Sequence, residues 1–382
     1  MTANRYQSRL KKLREVLQVH RLDGVALNPG PDFFYFTGMN FHLMERPVVL
    51  LIPSSGSPVL ILPELDSGKM EKLPFSVKDV QYGEDRSTWP DAFRKALQAA
   101  SLTHADLGII PRRLRVLELR YLEEAAPEIN PLSAQKALAS LRMIKDEEEI
   151  AAMSEAARIA QCALGTTLSA FQAGVTEKEI SSKLVQWLLH HGSEPELPFY
   201  PIVSFGPNTA NPHAAPTARP LMDGDLVLID WGASVNGYCS DITRTFAFGD
   251  LSPELDKIGE FVYQANQAGR GRIRPQAQAG SIDQAARDVI TAAGYGEYFT
   301  HRTGHGLGLE AHEEPYLAAG QETLLLPGMT FTVEPGIYLP GRGGVRIEDD
   351  LVVTEEGVRS LSTLPREILR IDAEDPFEVE RC

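Results

Sequence analysis

Hydrophobic residues in the first third of the chain form short runs that alternate with helix-like stretches. The strand-like runs are GVALNPG, FFYFTGM, PVVLLI, PVLILP and ADLGII, and helical periodicity occupies residues 90–100 and 113–125. The segment PVVLLIPSSGSPVLILP predicts a hairpin that turns at Ser55-Gly56. This alternation predicts an α/β domain with a mixed sheet.

Helix signals dominate the next part of the chain. Asp146 is followed three residues later by Glu149, and Thr176 by Glu179, which is the spacing of a helix capping box. We expect the first of these helices to end near residue 171 and the second near residue 191. The later pattern predicts helices at 253–273 and 282–293 and strands within 330–361.

Length and charge narrow the class of protein. A chain of 382 residues exceeds one typical core, and the change of pattern at 132–141 places a boundary between domains 1–135 and 136–382. With 37 basic and 52 acidic residues the net charge is −15, which argues against a nucleic-acid partner. The chain has neither a long apolar run nor the apolar core of a secretory signal at its amino terminus, so we expect no membrane partner and a cytoplasmic location. The three cysteines form no CxxC pair, so a thiolate zinc site is not indicated.

The segment LVLIDWGASVNGYCSDITRTFAF carries two aspartates in a predicted hairpin. Asn236-Gly237 is a preferred pair for a two-residue type I′ turn, which sets Asp230 opposite Thr243. Asp241 then shares a sheet face with Asp230, at most about 7–8 Å away. Like charges in so apolar a segment are costly unless a cation compensates them, and a metal ion is the natural candidate. The alternative is that both aspartates pair with arginines such as Arg244.

Two histidines lie in the glycine-rich segment HRTGHGLGLEAHEEP. His305 and His312 are candidate ligands, and the alternative is that both are ordinary structural histidines. The glycines at 304, 306 and 308 allow the backbone to pass close to a ligand or to another strand.

Further acids occur in TFTVEPG and GVRIEDDLVV near the end of the chain. The alternation in the second segment predicts that Arg346, Glu348 and Asp350 project from one strand face. Glu334 and Glu348 are flanked by apolar residues, which disfavours the alternative that they are solubilising charges on edge strands.

Asp230, Asp241, His305, Glu334 and Glu348 together provide four carboxylates and one imidazole. Four negative charges match two divalent cations, with one position left for a hydroxide. This oxygen-rich set favours Mn²⁺, with Co²⁺, Fe²⁺ and Zn²⁺ as alternatives.

These motifs resemble those of the metal-dependent pita-bread peptidases, specifically the Xaa-Pro branch that contains prolidase and aminopeptidase P. The matching segments, in the family's order, are IVSFGPNTANPHAAPT, LIDWGASVNGYCSDITRTF, HRTGHGLGLEAHEEP, LLPGMTFTVEPGIY and GVRIEDDLVVT. The resemblance implies a pita-bread catalytic domain preceded by a smaller creatinase-like α/β domain. Methionine aminopeptidases usually lack that first domain, and creatinase lacks the metal ligands.

The resemblance also implies roles for individual residues. Asp230 would bind one metal ion and His305 and Glu334 the other, whereas Asp241 and Glu348 would bridge both. A hydroxide would attack the scissile carbonyl, with Glu334 as the proton shuttle.

The same resemblance assigns three residues to the substrate. His312 would hydrogen-bond the substrate and stabilise the oxyanion, and His213 would contact the peptide near its proline. Arg346 would orient the ligands or bind the product carboxylate.

The implied substrate is a proline-containing peptide, and the compact first domain favours an Xaa-Pro dipeptidase over an aminopeptidase P that acts on longer peptides. A non-enzymatic binding relative is a further alternative. Arg46 is a candidate anchor for the dipeptide carboxylate across a dimer interface, or else a surface charge paired with Glu45. Phe199, Tyr200 and Val203 are candidates to line the proline pocket, or else pack in the core. Members of the family are commonly dimers, so a homodimer is expected.

Overall fold

The computed structural model describes residues 3–371, with side chains from Arg5 onward. The chain forms two compact units that divide between Arg142 and Met143. The boundary predicted after residue 135 coincides with the first residue of the last helix of the first unit. Among residues 3–371, no helix has both the length and the apolar composition that a membrane crossing requires.

The first unit contains a six-stranded mixed sheet, as the sequence predicted. Its strands are β1 (Gly24–Leu27), β2 (Val49–Pro53), β3 (Val59–Pro63), β4 (Lys78–Tyr82), β5 (Asp106–Ile109) and β6 (Asn130–Ser133). Its helices are α1 (Ala3–Val19), α2 (Pro31–Thr37), α3 (Trp89–Ala99), α4 (Val116–Ala125) and α5 (Gln135–Arg142). The strand order is β4-β3-β2-β1-β5-β6, and the predicted β2–β3 hairpin is confirmed as an antiparallel pair.

The prediction of a strand at FFYFTGM is wrong, because this segment forms helix α2. Pro31 occupies the first turn, where its missing N–H costs nothing, and Gly38 closes the helix in the left-handed conformation at φ 68°. The Gly38 N–H donates to the carbonyl oxygen of Phe34. A short, largely buried apolar run is compatible with either a strand or a helix, and here the flanking proline and glycine favour the helix.

The second unit has four long helices, and both predicted capping boxes are confirmed. The helices are α6 (Glu147–Leu168), α7 (Glu177–His190), α8 (Pro253–Arg270) and α9 (Ala279–Ala292). Asp146 and Glu149 each accept from the other's backbone N–H at the start of α6, and Thr176 and Glu179 do so at α7. Trp231 also donates from Nε1 to the carbonyl oxygen of Ala160, which fixes α6 against the sheet.

The strands of the second unit form two larger sheets and two short ribbons. They are β7 (Ile202–Phe205), β8 (Asp225–Trp231), β9 (Ser234–Val235), β10 (Tyr238–Cys239), β11 (Ile242–Phe248), β12 (Gly304–Gly306), β13 (Glu313–Leu317), β14 (Thr330–Val333), β15 (Gly336–Leu339), β16 (Gly343–Arg346), β17 (Asp349–Val353), β18 (Val358–Ser360) and β19 (Leu369–Arg370). The sheet orders are β19-β11-β8-β7 and β13-β12-β14-β17-β18, with ribbons β9–β10 and β15–β16. Helices α6 and α7 pack against the β19-β11-β8-β7 sheet. Helices α8 and α9 pack against strands β13 to β17, so the sheets lie between the two pairs of helices.

The predicted register of the aspartate hairpin is confirmed. Val235 pairs with Tyr238 and Asp230 with Thr243, so one register extends from the turn through β8 and β11. Asn236 and Gly237 have φ angles of 52° and 79°, the positive values that a type I′ turn requires.

The prediction of a single strand through GVRIEDDLVV is corrected. Arg346 ends β16, which pairs with β15, whereas Asp349 begins β17, which pairs with β14 in another sheet. Glu348 lies between the two strands and forms an isolated antiparallel bridge with Thr243. The chain crosses from one sheet to another at Glu348. This crossing allows Glu348 to pair with β11, the strand that follows Asp241.

The capping box at α6 gives a stability prediction. We expect Asp146→Ala to lower the free energy of unfolding by about 1 kcal/mol, because the Glu149 N–H loses its acceptor. Urea denaturation measures the change. Glu147→Ala is the matched control, since this exposed neighbour makes no capping contact. An equal effect of the two substitutions would contradict the role of the cap.

Candidate active site

A cavity of about 510 Å³ opens in the second unit and contains most of the residues singled out by sequence. Its lining consists of Phe199, Tyr200, Ile202, Pro212, His213, Asp230, Asp241, His301, Arg302, His305, Ala311, His312, Glu334, Arg346 and Glu348. The structure thus brings together the five predicted metal ligands with His213, His312 and Arg346.

The candidate ligands converge from separate strands. One oxygen from each of Asp230, Asp241 and Glu348 lies within 4.8 Å of the others, and atoms of His305, Glu334 and Glu348 form a second such group. Glu348 belongs to both groups. The arrangement therefore offers two adjacent positions for cations that share a carboxylate ligand.

Glycines at 304 and 306 allow His305 to reach this position. A Cβ atom at Gly304 would clash with the carbonyl oxygen of Thr332, and one at Gly306 with that of Glu314. The close approach to another strand that the sequence predicted is confirmed, with β12 lying between β13 and β14.

Neighbouring polar groups hold the carboxylates in place. The Thr243 hydroxyl donates to Glu348 Oε2 at 2.6 Å, and the backbone N–H of Asp241 donates to both oxygens of Asp350 at 3.1 Å. Arg346 donates from Nη2 to Asp230 Oδ2 at 2.5 Å. Arg346 therefore holds the Asp230 side chain directly, and its role in orienting a metal ligand stays a prediction.

The electrostatics of the site fit divalent cations. Burial, together with the neighbouring carboxylates, raises the pKa values of Asp241 and Glu348 well above the ordinary range. Burial also raises the pKa of Asp230, and that of Glu334 to about 7. Asp230 Oδ1 is buried and accepts no hydrogen bond from the described residues. Clustered carboxylate oxygens, one of them unpartnered, are a donor set suited to divalent metal ions.

The imidazoles in the cavity favour the neutral form. Burial lowers the pKa of His305 well below its ordinary value, and its Nε2 lies 3.4 Å from Glu334 Oε1. A neutral imidazole is the form that binds metal. Partial burial and the Arg302 guanidinium lower the pKa of His312 to about 4, and the His312 ring lies 3.9 Å from that of His305 between centroids.

Among the cavity residues that sequence reasoning missed are three polar ones, two in its lining and one behind them. His301 Nε2 lies 2.8 Å from the Tyr338 hydroxyl, which accepts from Arg346 Nη1 at 2.9 Å. Arg302 lies 3.1 Å from His312 Nδ1 and stacks over the ring of Tyr316. The HRTGH motif places His301 and Arg302 next to the ligand His305 and was the available signal, whereas nothing local to Tyr338 marked it.

The predicted proline-pocket residues divide between two faces. Phe199 and Tyr200 line the cavity, but Val203 is wholly buried in the core. Ile202 lines the cavity instead, because it pairs with Asp230 in the sheet and so shares its face. Val203 therefore packs in the core and does not line the cavity, which is the alternative given in the sequence analysis.

Arg46 lies in the first unit and pairs with two acids. Its Nη1 donates to Glu84 Oε1 at 2.8 Å, and its Nη2 lies 3.6 Å from Glu45 Oε1. These contacts are those of an ordinary paired surface charge, which is the alternative given in the sequence analysis. The role of Arg46 as a substrate anchor stays a prediction.

Comparisons with known proteins agree with this fold and site. Residues 151–355 match the model of metallopeptidase family M24, and residues 9–144 match the creatinase/prolidase N-terminal domain. The chain is 35% identical to the putative dipeptidase YkvY of Bacillus subtilis, over 95% of this chain and 99% of that one. The structure of prolidase from Thermococcus sibiricus is similar with a TM-score of 0.90 and 34% identity, covering 96% of this chain and 99% of that one. The Xaa-Pro dipeptidase from Bacillus anthracis has a TM-score of 0.87 and 34% identity, with the same coverage.

The two-unit fold and the buried carboxylate–histidine site define a metal-dependent hydrolase. The chain belongs to metallopeptidase family M24, and its first unit is a creatinase/prolidase N-terminal domain. The predicted pita-bread fold and peptidase class are thereby confirmed.

Removal of the shared ligand tests the metal centre. We expect Glu348→Ala to lose bound metal together with at least about a hundredfold of activity, because both cation positions lose an oxygen ligand. Elemental analysis of the purified variant measures the metal content. Glu356→Ala removes an exposed acid and is the matched control. A fully active, metal-replete Glu348→Ala variant would contradict the assignment.

Proposed function

We propose that this enzyme is an Xaa-Pro dipeptidase that uses two divalent metal ions. The observation that carries the proposal is the convergence of all five ligands in one cavity with Phe199, Tyr200 and Ile202 on its wall. The names of the similar proteins, a prolidase, an Xaa-Pro dipeptidase and a putative dipeptidase, support the dipeptidase over the aminopeptidase P alternative.

Asp230, Asp241, His305, Glu334 and Glu348 would hold the two ions. When bound, the metal ions would supply an activated water nucleophile and polarise the scissile carbonyl. Mn²⁺ is the ion we propose, because four of the five ligands are carboxylates. A homodimer is also proposed, from the family resemblance, and a cytoplasmic location stays a prediction.

The protein's own groups would handle protons and orientation. Glu334 is the proposed proton carrier, since its Oε1 lies beside His305 and its carboxylate faces the cavity. His312 is exposed, retains a neutral imidazole and adjoins the ligand His305, so its N–H can donate to the developing oxyanion. His213 faces the same cavity and is proposed to contact the peptide near its proline.

The cavity also contains a cation suited to a dipeptide. Arg346 is engaged with Asp230, whereas the described contacts of Arg302 are with His312 and Tyr316 rather than with a carboxylate. A free substrate carboxylate would give Arg302 the direct ion pair that the described residues do not supply. We therefore propose Arg302 as the cavity group that favours a substrate with a free carboxylate.

A matched substrate pair tests the proposed reaction. The Mn²⁺-loaded enzyme is expected to cleave an Xaa-Pro dipeptide and to leave an Xaa-Pro-Yaa tripeptide largely intact, and EDTA is expected to abolish the cleavage. Amino-acid release measured by chromatography reports both substrates. Preferential cleavage of the tripeptide would instead establish the aminopeptidase, and cleavage of neither by metal-loaded enzyme would overturn the proposed substrate class.

A charge-removal series tests the anchor. We expect Arg302→Met to weaken the binding of an Xaa-Pro dipeptide by about tenfold and to spare its carboxamide analogue, because a charge-assisted hydrogen bond is lost. Inhibition constants of the two compounds provide the measurement. Arg46→Met serves as the parallel variant for the anchor predicted in the first unit. If the ratio of acid to amide binding is unchanged in Arg302→Met, this role of Arg302 is excluded.

A further inference from the structure

Glu177 is a fully buried carboxylate that has no part in the site described so far. It is the first residue of α7, and its carboxylate forms no ion pair with a lysine or arginine among the described residues. Its charge is met by hydrogen-bond donors: Oε1 accepts from the Phe205 N–H at 2.8 Å and from Asn208 Nδ2 at 2.9 Å, and Oε2 accepts from the Thr217 N–H at 2.7 Å and hydroxyl at 2.5 Å.

These donors lie at the two ends of one segment, residues 206–217, which we call the His213 loop. Phe205 immediately precedes the loop, Asn208 is near its start, and Thr217 is at its end. A single carboxylate therefore ties both ends of the loop to the beginning of a helix. The helix dipole favours a negative charge at this position, and the four donors satisfy the acceptor capacity that burial leaves without water.

The same loop is connected to the active site on its other side. The backbone N–H of Gly344 donates to Thr209 Oγ1 at 2.7 Å, and Arg346 donates to the carbonyl oxygen of Pro212 at 3.4 Å. His213 follows Pro212 directly and lines the cavity with an exposed side chain. The base of the loop is thus fixed by buried contacts, whereas its substrate-facing residue is open.

We propose that Glu177 is a positioning residue that acts on substrate through His213. By holding both ends of the His213 loop, it fixes where the imidazole stands in the cavity without touching substrate itself. The inference rests on the proposed peptidase function for its kinetic consequence, but the loop restraint itself is independent of it.

Four converging donors explain why a carboxylate is needed here. A glutamine has the same shape but presents only one oxygen, and its NH₂ group would face either the two Thr217 donors or the Phe205 and Asn208 donors. Glu177→Gln therefore loosens one end of the loop without removing volume from the core.

The kinetic test is a double-mutant cycle between Glu177→Gln and His213→Ala. We expect Glu177→Gln alone to lower kcat/KM for an Xaa-Pro dipeptide by about tenfold, and to have almost no further effect when His213 is already alanine. Thr217→Val, which removes one donor and preserves shape, is expected to change kcat/KM in the same direction by a smaller factor. Effects of Glu177→Gln and His213→Ala that simply multiply would overturn the proposal.

Glu179→Gln is the matched control, because Glu179 lies on the same helical turn and its hydrogen bonds within the described part of the chain are with the cap residue Thr176, away from residues 206–217. It is expected to leave kcat/KM unchanged. Metal content is expected to equal that of the wild type in every variant of the set. A loss of metal in Glu177→Gln would point to general damage to the fold and would contradict positioning.

Hydrogen–deuterium exchange separates this proposal from the proposed function. Amides of residues 206–217 are expected to exchange at least about tenfold faster in Glu177→Gln than in the wild type or in Glu179→Gln. Unchanged exchange would overturn the positioning role. If the wild-type enzyme cleaves no Xaa-Pro substrate, the proposed function fails, and the exchange experiment still decides the role of Glu177.

Discussion

Repulsion among the carboxylates clustered in the cavity is the constraint on which the catalytic unit depends. Ligand oxygens of Asp230, Asp241 and Glu348 lie within 4.8 Å of one another, a distance at which two full charges repel by roughly 3.5 kcal/mol at an effective dielectric constant of 20. Arg346 compensates only one of these groups directly. The protein therefore holds the cluster either by retaining protons, as the raised pKa values indicate, or by binding cations. Metal ions consequently stabilise this unit as well as supplying its chemistry.

A second charge network keeps the cluster from relaxing outward. Arg244 is buried behind the site and donates to the carbonyl oxygen of Glu348 at 2.6 Å and to Asp349 Oδ1 at 2.6 Å. Arg270 reaches the other oxygen of Asp349 at 2.5 Å. Burial by itself would raise the pKa of Asp349, but the two guanidinium groups more than offset this and lower it. These hydrogen bonds and ion pairs fix the backbone at Glu348. The Glu348 side chain therefore remains directed at the carboxylates that repel it.

Local signals were sufficient for part of this architecture. The Asn236-Gly237 turn set the register of Asp230 and Asp241, because a two-residue turn fixes pairing on both sides. The family resemblance supplied the roles of the ligands. Contacts between distant segments were not accessible: the pairing of Ile202 with Asp230, which turns Val203 into the core, depends on how β7 docks on β8. The crossing of the chain between two sheets at Glu348 is likewise set by tertiary pairing and not by the alternation of residues.

The residues proposed to bind metal in this site are mostly buried, whereas the residues proposed to contact substrate are exposed. The proposed ligands Asp230, Asp241, His305 and Glu348 are each exposed by no more than 9%, whereas Tyr200 is 61% exposed and His213 and His312 are also open. A change at a buried ligand alters the charge of the whole cluster, so the metal chemistry tolerates little variation. An exposed loop residue can change without that cost. The precision of such loops must then come from their bases, and for the His213 loop that base is the carboxylate of Glu177.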